Sequence, residues 1–348
     1  MSESVLLSEI AEQPSVLERL LTEAAPEVDA IAATVRARGI HHVVIAARGS
    51  SDNAARYAQY LFGAHNRLTV TLATPSLMTR YHTPPVMTGA LVVGISQSGE
   101  SPDLIAVVEE GRRQGCLTLA VTNVAGSPLT AAAEHTIVLR AGKERSIAAT
   151  KTYTAQLAAL AMLSTAISQN GEWRQQLARV PAFVAAAHEV DRDTVLAAAA
   201  ALKDAGHGVV LGRGFNFATA FEAALKAKEL AYVAVEPYSS ADFQHGPIAL
   251  IDTGFAAIVI NAAGAVSSEV EDLLRTIVER GARPVVISNV TSSLALAAAP
   301  VPLPAEMPEW LSPIAAIVPG QLLAFHLSRL RGFDPDSPRG LKKVTKTT

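Results

Sequence analysis

The most informative segment of the chain is Gly94-Ile95-Ser96-Gln97-Ser98-Gly99-Glu100-Ser101-Pro102-Asp103. An apolar run typical of a buried strand, residues 90–93, precedes it, and a helical pattern over residues 104–114 follows it. Its hydroxyls therefore lie where a strand passes into a helix N-terminus, whose free amides and dipole favour an anion. One serine at such a place is usually only a helix cap, but three serines and an amide exceed what a cap needs. The stretch predicts a phosphate-binding loop.

Length and composition set the class of protein. The chain has 348 residues, enough for about two domains that each bury a core. Hydrophobic residues make up 49% of the chain but aromatic residues only 5%, which favours a layered α/β core of small aliphatic side chains. The formal net charge of -3 argues against a nucleic-acid partner.

Cysteine usage and the apolar segments indicate the compartment. Cys116 is the sole cysteine, so no intrachain disulfide can form and a reducing cytoplasm is expected. The first residues, Met1-Ser2-Glu3, carry an acid where a secretory signal carries base. The apolar helical stretch 155–167 is too short to span a bilayer, so it predicts a buried helix or a subunit contact and no membrane partner.

Strand and helix patterns alternate through the first half of the chain. Two helices are predicted first, over residues 8–21 with a break at Pro14 and over residues 28–38. The predicted strands cover residues 42–47, 68–73, 90–95, 117–122 and 136–139. The helices between and after them cover residues 53–62, 104–114 and 149–168. This alternation predicts an α/β fold with a parallel, doubly wound sheet and helices on both faces.

The pattern restarts at residues 209–211 and indicates a repeat. Residues 115–123 align with residues 281–289, and Arg48-Gly49 aligns with Arg213-Gly214, at offsets that differ by one residue. Two tandem αβα domains are therefore predicted. At the same offset residues 96–100 meet residues 261–265, which read Asn-Ala-Ala-Gly-Ala. The second copy has lost the hydroxyls, so only the first is expected to bind phosphate.

Nucleotide and metal sites are not expected. The chain contains no Gly-x4-Gly-Lys-Ser/Thr loop, and residues 212–217 break the dinucleotide fingerprint at its third glycine. The nine histidines are scattered without metal-ligand spacing.

A second turn could join the phosphate loop. Residues 48–52 read Arg-Gly-Ser-Ser-Asp and would open at the same edge of a parallel sheet, so the two turns could bind one ligand. It is equally compatible with the sequence that Ser51 only caps the following helix.

The second half carries a candidate for proton transfer. A helix predicted over residues 221–232 places Glu222, Lys226 and Glu229 on one face. Such a pattern is usually a solvated ladder of ion pairs. However, His245 lies in the polar loop 238–247, and a loop histidine beside a carboxylate-bearing helix can move protons near neutral pH.

Together these motifs resemble the sugar isomerase (SIS) superfamily, in particular the isomerase half of glucosamine-6-phosphate synthase and its short deaminase-like relatives. The resemblance covers nearly the whole chain. It is carried by the order and spacing of six motifs, namely residues 96–101, Ala149-Thr150-Lys151, residues 211–214, residues 224–229, His245-Gly246-Pro247 and residues 338–343.

The resemblance implies a role for each matched residue. The sugar phosphate would be bound by Ser51, Ser96, Gln97, Ser98 and Ser101. Glu229 would move a proton between C1 and C2, beside Lys226, and His245, donated by the neighbouring subunit of a homodimer, would open the sugar ring. Lys343 would contact the open-chain sugar and could form a Schiff base. Further substrate contacts would come from Gly49, Ser50, Ile147 and Lys342.

Two departures from the synthase shape the expected activity. Only about forty residues precede the first strand, so no glutaminase domain and no glutaminase activity are expected. Residues 141–148 carry basic side chains where the synthase has none, and are closer to the short deaminase-like relatives. The expected reaction is therefore conversion of glucosamine 6-phosphate to fructose 6-phosphate and ammonia, without cofactor or metal.

Two alternatives stay open. One is action on another phosphosugar, such as a galactosamine or fructosamine phosphate, because a phosphate clamp does not read the sugar epimer. The other is a non-catalytic sugar-phosphate sensor. The expected organisation is an N-terminal helical segment (1–27), a first SIS domain (28–175), a second SIS domain (195–330) and a C-terminal tail over the active site (331–348).

Overall fold

The computed structural model describes residues 4–343. The N-terminal Met1-Ser2-Glu3 and the last five residues of the predicted tail, 344–348, lie outside the described residues.

Ten strands form two five-stranded parallel sheets. The first sheet contains His42–Ala46 (β1), Thr69–Leu72 (β2), Ala90–Ser96 (β3), Leu117–Thr122 (β4) and His135–Val138 (β5). The second contains His207–Gly212 (β6), Ala234–Ser239 (β7), Ala257–Asn261 (β8), Val285–Ser288 (β9) and Ala299–Pro302 (β10). Their orders are β2-β1-β3-β4-β5 and β10-β9-β8-β6-β7, which become identical when each set is counted from its own first strand. The predicted tandem, doubly wound α/β fold is confirmed.

Helices flank both sheets. In chain order they are Val5–Ala11 (α1), Gln13–Glu23 (α2), Ala25–Ala37 (α3), Ser50–Asn66 (α4), Ser76–Thr79 (α5), Pro102–Arg113 (α6), Pro128–Ala132 (α7), Lys151–Ser168 (α8), Gly171–Ala178 (α9), Val180–His188 (α10), Arg192–Ala201 (α11), Phe217–Lys226 (α12), Ser240–Gln244 (α13), Ser267–Glu279 (α14), Thr291–Ala295 (α15) and Ser312–Leu330 (α16). Short 3₁₀ turns occur at Gly214–Asn216, Pro247–Leu250 and Glu309–Leu311, and Ala227–Ala231 is a π-helical turn.

The described chain divides into two compact units, each built around one sheet. The first-repeat unit contains residues 15–144, 151–179 and 342–343. The second-repeat unit contains residues 4–14, 145–150 and 180–341. The units therefore alternate along the sequence.

Hydrogen bonds of α1 explain why an N-terminal segment belongs to the second-repeat unit. The Asp336 carboxylate accepts hydrogen bonds from the amide of Leu6 at 2.8 Å and that of Val5 at 3.2 Å, and so caps α1. From the same helix, the buried Glu9 accepts bonds from the amides of Arg145 at 2.6 Å and Ser146 at 3.1 Å. Carboxylates at both ends of α1 thus hold segments that lie far apart in the chain.

Burial follows the layered architecture. Every residue of β3, β4, β8 and β9 is buried, which explains their nearly continuous apolar sequences. The apolar helix predicted near residues 155–167 is α8, a buried helix of the first-repeat unit. The stretch Glu309–Leu330 is long and apolar enough to cross a membrane, but 94% of its apolar window is buried inside the protein, so it packs as a core helix.

Some local predictions were wrong. The break predicted at Pro14 within residues 8–21 lies at Glu12 instead, because Pro14 occupies the first turn of α2, where its missing N–H costs nothing. The helix predicted over residues 221–232 starts at Phe217 and changes to π geometry after Lys226. Residues 238–247 are not one loop, because they contain the end of β7 and α13.

Gly99 is predicted to be indispensable for the shape of the phosphate loop. It has φ of +66°, and a Cβ there would lie 2.1 Å from the Oγ of Ser127. A Cβ on Gly126, with φ of +74°, would meet nothing within 4 Å among residues 4–343 beyond the adjoining chain. We expect Gly126→Ala to cost about 1–2 kcal/mol of unfolding free energy from left-handed strain alone. Gly99→Ala should cost at least about 2 kcal/mol more because the clash adds to that strain. Equal losses in urea unfolding would contradict this account.

Candidate functional site

The turn between β1 and α4 presents two serines at a helix N-terminus. Gly49, with φ of +56°, occupies the cap position, so Ser50 and Ser51 lie in the first turn of the helix. The buried hydroxyl of Ser51 accepts a hydrogen bond from Nε2 of Gln156 in α8 at 2.9 Å. The alternative that Ser51 is merely the helix cap is therefore wrong. Its orientation is set by a neighbouring helix, which no local pattern signals.

The loop between β3 and α6 is shaped partly by its own serines. Oγ of Ser96 accepts a hydrogen bond from the amide of Gly99 at 3.1 Å, and Oγ of Ser98 accepts one from the amide of Glu100 at 3.3 Å. Ser101 occupies the cap position of α6, yet its side chain makes no capping hydrogen bond. The hydroxyls of Ser96 and Ser98 thus fix the backbone of the loop, whereas the hydroxyl of Ser101 lies at the helix N-terminus without capping it.

The two turns of the first-repeat unit are neighbours. β1 pairs with β3 in parallel, with Ala46 opposite Gly94, so both turns leave the same edge of the sheet. An ion pair joins them, because Nε of Arg48 lies 2.9 Å from Oδ2 of the buried Asp103 in the first turn of α6. The sequence analysis did not predict that Asp103 and Gln156 support these turns. Asp103 could have been found from its position directly after the serine loop, whereas no sequence pattern points to Gln156.

The equivalent place in the second-repeat unit is occupied by a carboxylate of the chain itself. Oε2 of Glu309 accepts a hydrogen bond from the amide of Ala265 at 2.7 Å. Its Oε1 lies 3.8 Å from the position that a Cβ on Gly214 would take. By contrast, among residues 4–343 nothing beyond the adjoining chain lies within 4 Å of the corresponding Cβ position on Gly49. The repeat that lost its hydroxyls thus binds an internal anion at these turns.

A buried ion cluster lies on α12 of the second-repeat unit. Nζ of Lys226 is 2.6 Å from Oε2 of Glu229 and 3.3 Å from Oε1 of Glu222. The side chains of Lys226 and Glu222 are 1% and 0% exposed, so the solvated ion-pair ladder is excluded. Glu229 is 23% exposed and is the member of the cluster that solvent reaches.

Electrostatics keep Lys226 charged. Burial alone lowers the pKa of Lys226, but the carboxylates of Glu222 and Glu229 outweigh burial and raise it above the ordinary lysine range. The cluster therefore presents a permanent positive charge beside the carboxylate of Glu229.

The π-helical turn gives Glu229 its position. Residues Ala227–Ala231 continue α12 with wider hydrogen bonding, and Tyr232 ends the turn in the left-handed region with φ of +54°. Single π turns within α-helices are frequent at functional sites, because they redirect side chains that a regular helix would stack. The sequence spacing of Glu222, Lys226 and Glu229 does not predict this change from α-helical to π-helical geometry.

His245 lies in the same unit as Glu229. It follows α13, its ring is exposed, and its side chain makes no hydrogen bond or ion pair within residues 4–343. The neighbouring Gly246 has φ of +127°, which turns the chain sharply into the 3₁₀ helix Pro247–Leu250. The structure therefore leaves the imidazole unengaged at a surface turn.

The described part of the C-terminal tail is held by specific contacts in each unit. In the second-repeat unit, the guanidinium of Arg339 lies 3.9 Å from the ring centre of Tyr232, whose hydroxyl accepts a bond from the Arg339 amide at 2.7 Å. In the first-repeat unit, Nζ of Lys343 is 2.7 Å from Oε2 of Glu144. Lys342 is exposed and Ile147 is half-buried. Among residues 4–343, no group of three or more His, Cys, Asp or Glu side chains is placed to hold a metal ion.

Lys226→Met should destabilise the protein strongly, because it removes the ammonium that lies 3.3 Å from the buried carboxylate of Glu222. We expect a loss of about 3–5 kcal/mol of unfolding free energy in urea denaturation. Adding Glu222→Gln should recover part of that loss. As a control, Arg275→Met removes the more exposed i,i+4 pair with Glu271 and should cost less than about 1 kcal/mol.

The pH dependence gives a second check. Because the pKa of Lys226 is raised on folding, its stabilisation is fully present below the ordinary lysine pKa of about 10.4 and declines above it. The wild-type advantage over Lys226→Met should therefore be constant from neutral pH to about 9. An advantage that already shrinks between pH 7 and 9 would contradict the assignment.

Comparison with known proteins shows the family. The SIS domain matches residues 38–166 and 201–330. The isomerizing glutamine–fructose-6-phosphate aminotransferase of Methanothermobacter thermautotrophicus is 35% identical over 341 residues, covering 97% of this chain and 56% of that protein. The chain thus spans little more than half the length of this relative.

Solved structures show the same fold. The C-terminal domain of glucosamine-fructose-6-phosphate aminotransferase from Francisella tularensis superposes with a TM-score of 0.86 at 26% identity, covering 97% of this chain and 99% of that one. Glucosamine-6-phosphate deaminase from Thermotoga maritima superposes with a TM-score of 0.79 over 99% of this chain and 100% of that one, but at 22% identity it shows the fold alone. With two matched SIS domains of identical strand order, the chain belongs to the SIS-domain family.

Proposed function

We propose that the protein is an isomerising deaminase that converts glucosamine 6-phosphate to fructose 6-phosphate and ammonia. Membership of the SIS-domain family and similarity to isomerizing enzymes support the coarser role of a phosphosugar isomerase. The observation that carries the proposal is the partly exposed Glu229 carboxylate, held 2.6 Å from the buried ammonium of Lys226. A proton-transfer reaction needs such a positioned carboxylate, whereas phosphate binding alone does not.

In the proposed reaction the first-repeat loops bind the phosphate. Ser51, Ser96, Gln97, Ser98 and Ser101, together with the N-termini of α4 and α6, supply neutral donors to the phosphate oxygens. Gly49 and Ser50 shape the first of these turns. Binding at the phosphate restrains the sugar, so that the reacting carbons stay in place during proton transfer.

The chemical steps require only acid and base groups. Ring opening, assigned to His245, exposes an aldehyde at C1, which acidifies the proton on C2. Glu229 takes that proton and returns it to C1, so that the aminoaldose becomes a ketose imine with a hydroxymethyl group at C1. Water adds to the C2 imine, and ammonia leaves as the C2 carbonyl forms. Neither metal nor cofactor enters these steps.

Three further assignments belong to the proposal. Lys343 contacts the open-chain sugar, with Lys342 and Ile147 as neighbouring contacts. His245 acts from the neighbouring subunit of a homodimer, and its exposed ring without a partner in residues 4–343 supports that assignment. A cytoplasmic location is supported by the single buried, free cysteine, Cys116.

Two alternatives remain distinguishable by experiment. Another phosphosugar, such as a galactosamine or fructosamine phosphate, would use the same phosphate loops and the same base. A non-catalytic sugar-phosphate sensor would bind without turnover, but it has no use for the charged cluster beside Glu229. A panel of phosphosugars assayed for both binding and turnover separates all three.

Purified protein should release ammonia and fructose 6-phosphate from glucosamine 6-phosphate. Glu229→Gln keeps the size of the side chain but removes the base, so kcat should fall by about 10²–10⁴-fold. The matched variant Glu279→Gln, at an exposed helix end, should keep wild-type activity. Absence of turnover in the wild type, or full activity in Glu229→Gln, would overturn the proposal.

Ser101→Ala tests the phosphate loop separately from catalysis. Because the Ser101 side chain makes no capping bond, its loss should change unfolding free energy by less than about 0.5 kcal/mol. Losing a hydrogen bond to a charged phosphate should weaken binding of glucitol 6-phosphate, which lacks a reactive carbonyl, about tenfold or more. Calorimetric titration measures that affinity, and Ser76→Ala, at an exposed helix start, is the control. Unchanged affinity in Ser101→Ala would exclude its role.

A further inference from the structure

We propose that Glu144 is the positioning residue for Lys343. This inference rests on the proposed function, which gives Lys343 its contact with the open-chain sugar. The two side chains are 199 residues apart in sequence, yet Nζ of Lys343 lies 2.7 Å from Oε2 of Glu144. Glu144 is fully buried, whereas Lys343 is 25% exposed, so the pair joins a fixed carboxylate to an ammonium that solvent reaches.

Glu144 is fixed because it also caps α8. Its Oε1 accepts a hydrogen bond from the amide of Thr152 at 3.2 Å, and its Oε2 accepts one from Oγ1 of Thr152 at 2.7 Å. A carboxylate at a helix N-terminus is favoured by the free amides and by the helix dipole. The helix is itself buried from Lys151 to Ala166. The acceptor for Lys343 is therefore anchored to a rigid element of the first-repeat unit.

A lysine needs such an anchor more than most residues. Its ammonium is a point charge on a flexible four-carbon stem, so an unrestrained tail lysine samples many positions. Catalytic contacts tolerate displacements of well under about 1 Å before rates fall steeply. The adjacent Lys342 is exposed, which makes it an internal comparison for a tail lysine at the surface.

The second repeat uses the corresponding connection differently. There the segment between β10 and α16 carries Glu309, whose Oε2 accepts a bond from the amide of Ala265 at 2.7 Å. The segment between β5 and α8 carries Glu144, which binds Lys343 instead. Both repeats thus place a carboxylate between the fifth strand and the long helix that follows it, and within residues 4–343 the carboxylate of the first repeat is the one paired with a tail lysine.

Glu144→Gln is the test. Glutamine keeps an oxygen for Thr152 but presents no negative charge to Lys343, so kcat should fall about 30- to 100-fold while KM changes less than about threefold. Affinity for glucitol 6-phosphate should stay within about twofold of wild type, because the phosphate loops are untouched. Glu144→Asp keeps the charge and should retain more activity than Glu144→Gln.

Controls separate positioning from a merely structural role. Thr152→Val removes only the Oγ1 bond to Oε2 of Glu144 and keeps the capping amide bond to Oε1, so kcat should stay near wild type, as it should in Lys203→Met at an exposed surface lysine. In a double-mutant cycle, Glu144→Gln should change activity less than about threefold when added to Lys343→Met. Independent, multiplying losses, or a loss in Thr152→Val equal to that in Glu144→Gln, would overturn the inference.

A measurement that does not depend on enzymatic turnover tests the contact between Glu144 and Lys343 separately from the proposed function. Trace acetylation followed by mass spectrometry should label Lys343 more slowly than Lys342 in the wild type, and Glu144→Gln should raise the rate at Lys343 severalfold. Equal rates at Lys343 in wild type and variant would contradict the contact. If the wild type turns over no phosphosugar, the proposed function fails, while the labelling result still decides whether Glu144 holds Lys343.

Discussion

Each repeat depends on a glycine in the left-handed region where its first strand turns into a helix. Gly49 has φ of +56° and Gly214 has φ of +59°, values that side chains with a Cβ rarely adopt. The turn directs a helix N-terminus to the carboxyl edge of the parallel sheet, where the neighbouring strand ends in a second loop. The paired strand ends of β1 and β3 bring both loops together, and the Arg48–Asp103 ion pair joins them. The topology therefore places two helix N-termini, whose free amides favour an anion, at this edge.

The two repeats differ in the side chains that lie at this edge of the sheet. In the second repeat, Glu309 supplies an anion to the amide of Ala265, beside the turn at Gly214. In the first repeat, Ser98 stands where the second repeat has Ala263, and the carboxylate of Glu144 caps α8 and binds Lys343. The two repeats thus keep the same strand order but place different side chains at their helix N-termini. That difference is why the phosphate site is assigned to the first repeat alone.

The buried cluster on α12 is a costly feature that packing alone does not explain. Placing Lys226 and Glu222 out of solvent is tolerated only because each neutralises the other, and apolar side chains would fill that volume at lower cost. The same cluster holds Glu229, which the π-helical turn leaves partly exposed. A purely structural role explains why Lys226 pairs with Glu222, but it does not explain why the carboxylate of Glu229 is exposed. We therefore propose Glu229 as the proton-transfer base.

The amino-acid sequence alone was enough to predict the tandem α/β architecture, all five strands of the first repeat, and the junction between β3 and α6 where the serine loop lies. Those features follow from local periodicity, glycine positions and a repeat offset, which neighbouring residues along the chain encode. Three contacts became visible in the folded chain alone: Gln156 bonds to Ser51, Asp336 caps α1, and Lys343 pairs with Glu144. These contacts join residues 105, 330 and 199 positions apart. They depend on how helices pack onto finished sheets, and such packing leaves no local pattern in the sequence.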